Sequence, residues 1–316
     1  MSVQGEITTI FGGTGFIGRH IVRRLAKAGH TVKVATRVPE CAYFLRPYGK
    51  VGQIVPVACD YSDAGIAAAV AGATNVINCV GILYEKRKST FQKIHAELPG
   101  RIAAASREAG AKRLVHISAL GVDQGTSRYH KSKIVGEEAV KKEFPPATIL
   151  RPSIVFGAED NFFNKFASIA AIAPALPLIG GGKTKFQPVF VGDVADAAMA
   201  SLTSDAAKGK TYELGGPETV DFRQIYQRLF DCTQQPRMLI SLPWGLAKFK
   251  ATFLGLLPHP PLTTDQVESL KTDSVVHAGA LSLHDLGIGP TGMSLILPEY
   301  LDYRRRGGAF AVQGHG

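Results

Sequence analysis

A glycine-rich turn near the start of the chain does most to limit the folds open to it. Ile7-Thr8-Thr9-Ile10-Phe11 leads into Gly12-Gly13-Thr14-Gly15-Phe16-Ile17-Gly18. Ile17, Ile21, Val22 and Leu25 then recur at helical spacing up to Gly29. A β-branched strand, a tight turn and a helix in that order make the phosphate-holding turn of a βαβ unit. Glycines 13, 15 and 18 fit the G-x-G-x-x-G spacing, and glycines 12, 15 and 18 fit the looser G-x-x-G-x-x-G. The first glycine permits the turn, the second admits a pyrophosphate against the backbone, and the third lets helix pack on strand. The free N–H groups at the helix start then face the anion. Cofactor contacts are therefore expected from Gly12, Gly13, Thr14, Gly15, Phe16, Ile17 and Gly18.

The next strand, expected over 31–36, bears on which dinucleotide is held. An NAD site usually carries Asp or Glu at this strand's end, to accept from the ribose 2′-hydroxyl. Here the residue is Arg37, and the first acid is Glu40. A guanidinium cannot accept that hydrogen bond, but it can clamp a 2′-phosphate. Arg19, just after the last glycine, could flank the same group. The cofactor expected is NADP(H). In the competing reading Arg37 is a solvated charge and Glu40 reaches back to the ribose.

Strands and helices alternate through the first half, as in a parallel sheet covered on both faces. Strands are expected at 53–59, 75–79, 113–118, 147–150 and 211–214, and helices at 16–28, 91–109, 129–143 and 193–203. From about Gly157 the chain breaks into short elements at Pro174, Pro177, Gly180-Gly181-Gly182, Pro188, Pro236, Pro243, Pro258, Pro260 and Pro261. The fold class expected is α/β, a Rossmann-type doubly wound parallel sheet with a smaller C-terminal lobe. Residues 1–156 and about 187–215 would bind nucleotide, 157–186 and 216–306 would form the second lobe, and 307–316 would be a disordered tail. Residues 239–257 read as a short amphipathic helix closing that lobe, with a membrane-surface helix as the other reading.

The chain's 316 residues suffice for one large or two smaller domains, and its net charge of +10 is compatible with nucleic acid, an anionic membrane surface, an acidic partner or solubility alone, a membrane or protein surface being favoured. The small clusters Lys86-Arg87-Lys88 and Arg304-Arg305-Arg306 are not interleaved with aromatics, so no nucleic acid is expected. Cys41, Cys59, Cys79 and Cys232 are scattered and read as buried thiols of a reducing compartment, and no metal site is expected. No apolar run is long enough to span a bilayer. Nothing around Met1-Ser2-Val3-Gln4-Gly5 reads as a signal peptide.

Tyr129-His130-Lys131-Ser132-Lys133 supplies Tyr-x-x-x-Lys, which places both side chains on one helix face. A lysine ammonium beside the phenol would lower its pKa and fit Tyr129 for proton transfer to or from a carbonyl. These features together resemble the short-chain dehydrogenase/reductase superfamily, in its extended or atypical branch. The resemblance implies an acid near the adenine amino group at Asp60. It implies cofactor contacts at Cys79, Val80, Gly81, Ser118 and Pro152, with Tyr129 and Lys133 as catalytic or vestigial groups that also face the nicotinamide ribose. It also implies a substrate-holding hydroxyl one place after Ser118, where this chain has Ala119. An alanine donates nothing to an oxyanion.

Further segments narrow the resemblance. They are Phe91-Gln92-Lys93-Ile94-His95-Ala96-Glu97, with His95 where the superfamily usually has Asn, Arg151-Pro152-Ser153-Ile154-Val155-Phe156-Gly157, Gln187-Pro188-Val189-Phe190-Val191-Gly192-Asp193-Val194, and Arg46-Pro47-Tyr48-Gly49-Lys50-Val51-Gly52-Gln53. Over roughly 6–306 the chain resembles the nucleotide-binding accessory subunits of respiratory complex I, the NADH:ubiquinone oxidoreductase. That implies NADP(H) held as a structural element, other complex I subunits as partners, and peripheral contact with a membrane surface. The location implied is the cytoplasmic face of a bacterial inner membrane or the matrix face of the mitochondrial one, the absence of a transit peptide suiting a bacterial or a mature form. The alternative is a free NADP-dependent short-chain reductase or epimerase using Tyr129 and Lys133, and a third reading is a nucleotide-sensing regulator.

Overall fold

A computed structural model describes residues 5–86, 89–255, 257 and 260–305. The first half alternates as the hydrophobic pattern implies. β1 (Ile7–Phe11), α1 (Phe16–Lys27), β2 (Thr31–Thr36), β3 (Ile54–Ala58), α2 (Asp63–Val70) and β4 (Asn75–Asn78) come first. α3 (Leu98–Glu108), β5 (Arg113–Ile117), α4 (Arg128–Glu143) and β6 (Thr148–Pro152) follow. β7 (Val155–Phe156), α5 (Phe163–Ile172), β8 (Ala175–Ile179), β9 (Lys185–Phe186), β10 (Val189–Phe190), α6 (Val191–Thr203) and β11 (Thr211–Leu214) lead to the C-terminal elements. These are β12 (Val220–Asp221), α7 (Phe222–Thr233), β13 (Met238–Leu242), α8 (Trp244–Leu254), α9 (Thr264–Ser269) and α10 (Met293–Leu301).

Seven strands form one parallel sheet in the order β11-β6-β5-β4-β1-β2-β3. The order reverses at β1, whose Phe11 lies between Ala35 of β2 and Asn78 of β4. Crevices for ligands open beyond the carboxyl ends of strands at such a switch point. Apolar residues cover both faces. Ile10, Leu25, Val34, Val115 and Ala198 belong to one cluster, and Phe11, Ile66, Leu98, Ile102 and Leu114 to the other. A further cluster gathers Phe156, Phe163, Leu178, Tyr226, Leu229 and Tyr300 from the C-terminal elements.

Two expected helices differ. The run 91–109 is not one α-helix: Gln92–Glu97 is wound wider, as a π-helix, before α3 begins at Leu98. Pro99, at the start of α3, has no N–H to continue a regular ladder backward. The wide turn presses on α4, where a β-carbon on Gly136 would meet the His95 carbonyl at 1.9 Å. The run 239–257 is not one helix either. Residues 238–242 pair in parallel with β8, and Pro243 then precedes α8. Pairing along five residues outweighs helical periodicity there. Of the thiols expected to be buried, Cys59 is, but Cys41 is exposed. The expected tail 307–316 and parts of both basic clusters, Arg87, Lys88 and Arg306, lie outside the described residues.

Candidate nucleotide-binding site

The glycine turn is built by backbone contacts that only glycine allows. Gly12 has φ +77°, and a β-carbon there would meet the Cys79 carbonyl group and the Val80 nitrogen at about 3 Å. A β-carbon on Gly18 would lie 2.2 Å from the Gly12 oxygen. Gly15 N–H donates to that same oxygen at 3.0 Å. The structural triplet is thus 12, 15 and 18, the looser of the two spacings. Gly13 instead faces the core, against Ile10, Val34 and Val22. Gly15, the position before α1, is exposed and extended at φ −75°, ψ 178°. No side chain caps α1, so the N–H groups of its first turn remain available to an anion.

The ends of neighbouring strands close around this turn. Cys79 N–H donates to the Phe11 carbonyl at 2.9 Å, and Val80 N–H to Asn78 Oδ1 at 3.0 Å. A β-carbon on Gly81 would sit 3.6 Å from Lys133 Nζ and 3.7 Å from His95 Nε2. Lys133, buried on α4, donates to the Ile117 carbonyl at 3.2 Å. Leu120 N–H donates to the Pro152 carbonyl at 2.9 Å. Thr14 is half-buried, Ile17 packs against the sheet core, and Phe16 makes an edge contact with His20. The structure therefore brings residues 12–18, 79–81, 117–118, 133 and 152 to one end of the sheet.

The two residues after β5 behave differently, as alternation along a strand dictates. Ser118 is buried and its Oγ has no hydrogen-bond partner among the described residues, while Ala119 is half-buried. His116 Nε2 is likewise buried without a partner. Unsatisfied polar atoms at depth are rare in folded chains. Together with the glycine cradle they fit a bound polar group at this end of the sheet.

Two histidines line the floor. Ile82 N–H donates to His95 Nε2 at 3.0 Å, so the His95 proton lies on Nδ1, facing Ser132 Oγ at 3.2 Å. Ser132 Oγ in turn donates to the Tyr129 carbonyl at 2.7 Å. Asn78, its Oδ1 already accepting from Val80, presents Nδ2 to His116 Nδ1 at 3.2 Å. Burial first, and Lys133 second, push His95 down to about 2 and His116 to about 3. Below the ordinary value of 6.5, the unfolded histidines take protons that the folded ones refuse. Stability is thus expected to fall as pH drops below about 6.5, by roughly 1.4 kcal/mol per pH unit for each histidine. Urea unfolding at pH 7, 6 and 5 measures this slope, and His116→Asn should flatten it by one such increment. An unchanged slope in that variant would refute the assignment.

The expected ionisation of Tyr129 is not found. Burial, reinforced by the Asp265 carboxylate, pushes its phenol up to about 12. Lys133 is itself lowered to about 8 by burial, against the opposing pull of Glu137 and Cys79. Asp265 belongs to α9 and accepts from the N–H groups of Arg128 and Tyr129 at 2.7 and 3.2 Å. It therefore places negative charge at the start of the helix bearing the tyrosine. No local sequence signal pointed to this contact, because its partners are 136 and 137 residues apart.

The remaining predicted residues lie at the rim. Arg19 returns to the Thr14 and Gly15 carbonyls at 3.3 Å and stacks over Phe44 at 5.0 Å. Arg37 is exposed, 6.0 Å over the Tyr61 ring. The two arginines thus lie on different rings. Asp60 accepts from Ser62 N and Oγ at 2.9 and 2.6 Å, which fixes the turn before α2. Beneath the site, buried Arg151 forks onto Glu137 at 2.9 and 2.8 Å and reaches Asp123 at 2.8 Å.

Residues 8–215 match the family model described as the NAD dependent epimerase/dehydratase family. The chain is 37% identical to the NADH dehydrogenase (ubiquinone) 1 alpha subcomplex subunit 9, mitochondrial, of Arabidopsis thaliana, over 97% of this chain and 80% of that protein. It is 35% identical to the protein of the same name from Mus musculus, over 96% and 82%. Among solved structures it resembles the NADPH-dependent quinone oxidoreductase QOR2 of Escherichia coli complexed with NADPH. There the TM-score is 0.74 and the identity 20%, over 93% of this chain and 98% of that one. At that identity the likeness shows the fold.

Proposed function

Because the chain belongs to the NAD dependent epimerase/dehydratase family, and within it groups with the alpha subcomplex subunit 9 proteins of complex I, we propose that it is a nucleotide-binding accessory subunit of respiratory complex I that holds NADP(H) as a resident, structural ligand. One observation carries the structural role: the cradle is complete and the proton-transfer half is not. Gly12, Gly15 and Gly18 interlock through backbone contacts. Tyr129 is held protonated well above physiological pH, and Ala119 offers no donor.

In this reading Gly12, Gly13, Thr14, Gly15, Phe16, Ile17 and Gly18 hold the pyrophosphate, and Arg19 and Arg37 the 2′-phosphate. Asp60 faces the adenine side, while Cys79, Val80, Gly81, Ser118, Tyr129, Lys133 and Pro152 face the ribose and nicotinamide. Bound there, the nucleotide supplies a charged strut between the glycine turn and α4. Residues 1–156 and about 187–215 form the nucleotide-binding part, and 157–186 and 216–306 the smaller lobe. The separate apolar cluster around Tyr226 supports that division.

The subunit's partners are other complex I subunits, with peripheral contact to the matrix or cytoplasmic membrane face. No described helix is long and apolar enough to cross a membrane. α8 supports surface contact: Leu246, Phe249 and Phe253 are 46%, 62% and 60% exposed at helical spacing. Lys248 and Lys250 flank them, and no acid occurs from 236 to 262. The deciding experiment is whether the native chain co-migrates with membrane complex I or runs alone in the soluble fraction, the second outcome refuting the reading.

Cofactor choice has its own test. NADPH should bind more tightly than NADH, and Arg37→Asp should reduce or invert that preference. A charge-assisted contact contributes about 1.5–3 kcal/mol, or roughly ten- to hundredfold in affinity. Equal affinities in titrations of the unmutated chain would overturn the assignment.

A further inference from the structure

The surface around residues 39–53, between β2 and β3, is basic beyond what the nucleotide site uses, which takes only Arg19 and Arg37 from it. Between residues 7 and 59 Glu40 is the single acid, against eight lysines and arginines. Arg19, Arg23 and Lys27 recur every four residues along α1 and so form one row. That row faces the 3₁₀ segment Pro39–Tyr48. The Arg19 guanidinium lies 5.0 Å from the Phe44 ring and Arg23 5.9 Å from the Tyr48 ring, while within the segment Arg46 lies 4.0 Å from Tyr43. Tyr43 and Phe44 are each 44% exposed, and Tyr48 39%.

The row ends in a concavity of about 580 Å³, lined by Lys27, Gly29, Thr31, Lys50, Val51 and Gln53 among others. Val51 is fully exposed at its edge. Among the described residues Arg23, Lys27, Arg46 and Lys50 form no ion pair, whereas neighbouring Arg24 binds Asp196 at 2.6 Å. The surface thus combines exposed aromatic rings, guanidinium groups ordered on their faces, and a depression flanked by two ammonium groups.

We infer that this face docks an acidic segment of a neighbouring polypeptide, with carboxylates on Arg23, Lys27 and Lys50 and an apolar side chain against Tyr48 and Val51. The inference rests on the accessory-subunit reading. Arginine and tyrosine are the residues through which protein interfaces concentrate binding energy. A guanidinium stacked on a ring has lost much of its freedom already, and its planar fork matches a carboxylate. A lipid surface calls for the lysine-flanked apolar stripe seen on α8, not for ordered planar groups around a concavity.

The test uses the full chain in its membrane complex. Arg23→Glu combined with Lys27→Glu should reduce retention at least tenfold or so when the membranes are washed with moderate salt, because opposed charge becomes like charge. Tyr48→Ala should reduce it without any charge change. Both variants should keep unaltered NADPH affinity and thermal unfolding. A photo-cross-linker at Val51 should attach, in the isolated complex, to an acidic stretch of another subunit. Equal retention of variants and wild type overturns the inference, and so does an adduct with phospholipid or with a neutral or basic segment. Absence of the wild-type chain from the complex overturns the accessory-subunit reading and this surface with it. Wild-type retention matched by the variants overturns the surface alone.

Discussion

Gly15→Val is expected to abolish nucleotide binding while leaving the sheet folded. Gly15 has an extended backbone, φ −75° and ψ 178°, which any residue adopts. A β-carbon there would meet only the Gly12 oxygen, at 3.2 Å. The added isopropyl group therefore disturbs little of the protein, but it fills the space through which a pyrophosphate approaches the turn. Gly18→Val behaves differently, because its β-carbon would overlap the Gly12 carbonyl and break the contact between α1 and β1. A ligand that binds only the folded state stabilises it by RT ln(1 + [L]/Kd), about 4 kcal/mol at a thousandfold excess over Kd. Nucleotide should raise the melting temperature of the wild-type chain and leave that of Gly15→Val unmoved. Protection of the variant would place the phosphate site elsewhere. In membranes, Gly15→Val should lower assembled complex I, whereas Tyr129→Phe, which keeps the ring and loses only the hydroxyl, should lower it much less. The reverse pattern would sink the structural-cofactor reading.

Arg151→Ala should cost about 3–5 kcal/mol of stability, the usual penalty for stranding a buried charge. The stranded group is Glu137, whose side chain is fully buried and takes both forks of the guanidinium at 2.9 and 2.8 Å. Asp123, at 2.8 Å, and Glu213, at 3.7 Å, lose the same partner. For large domains each kcal/mol shifts the melting temperature by about 2–4 °C, so a fall of roughly 10 °C is expected. Replacing both members, as in Arg151→Met with Glu137→Leu, should recover part of the loss, because no buried charge then remains. A single-variant loss below about 1 kcal/mol would contradict a buried, obligatory pair. Nucleotide affinity provides a second readout, since Glu137 favours the charged form of Lys133.

Local signals accounted for the elements that frame the site. The strand-glycine-helix start, the stop at Gly29 and the strands through β6 depend on neighbours a few residues apart, and they appear within one or two residues of their expected places, whereas α2 (Asp63–Val70) was not expected. Where a distant partner intervened, periodicity misled. Residues 238–242 carry helix-compatible apolar spacing but are held as a strand by residues 175–179. The expected helix over 91–109 opens into a π-turn where it meets α4 at Gly136.

The chain's sequence by itself determined that a tight glycine turn would join β1 to α1, that Lys133 would share a helix face with Tyr129, and that residue 119 would have no hydroxyl. These follow from residue identity and short spacing, which the unfolded chain already has. Only the tertiary structure decided their protonation. Tyr129 stays a phenol because packing desolvates its half-buried ring and brings Asp265 to its helix start, and His95 and His116 stay neutral chiefly because they are buried, with Lys133 adding to the effect. Desolvation and long-range charge depend on which surfaces meet in three dimensions, and residues more than a hundred positions apart carry no periodic mark of that meeting.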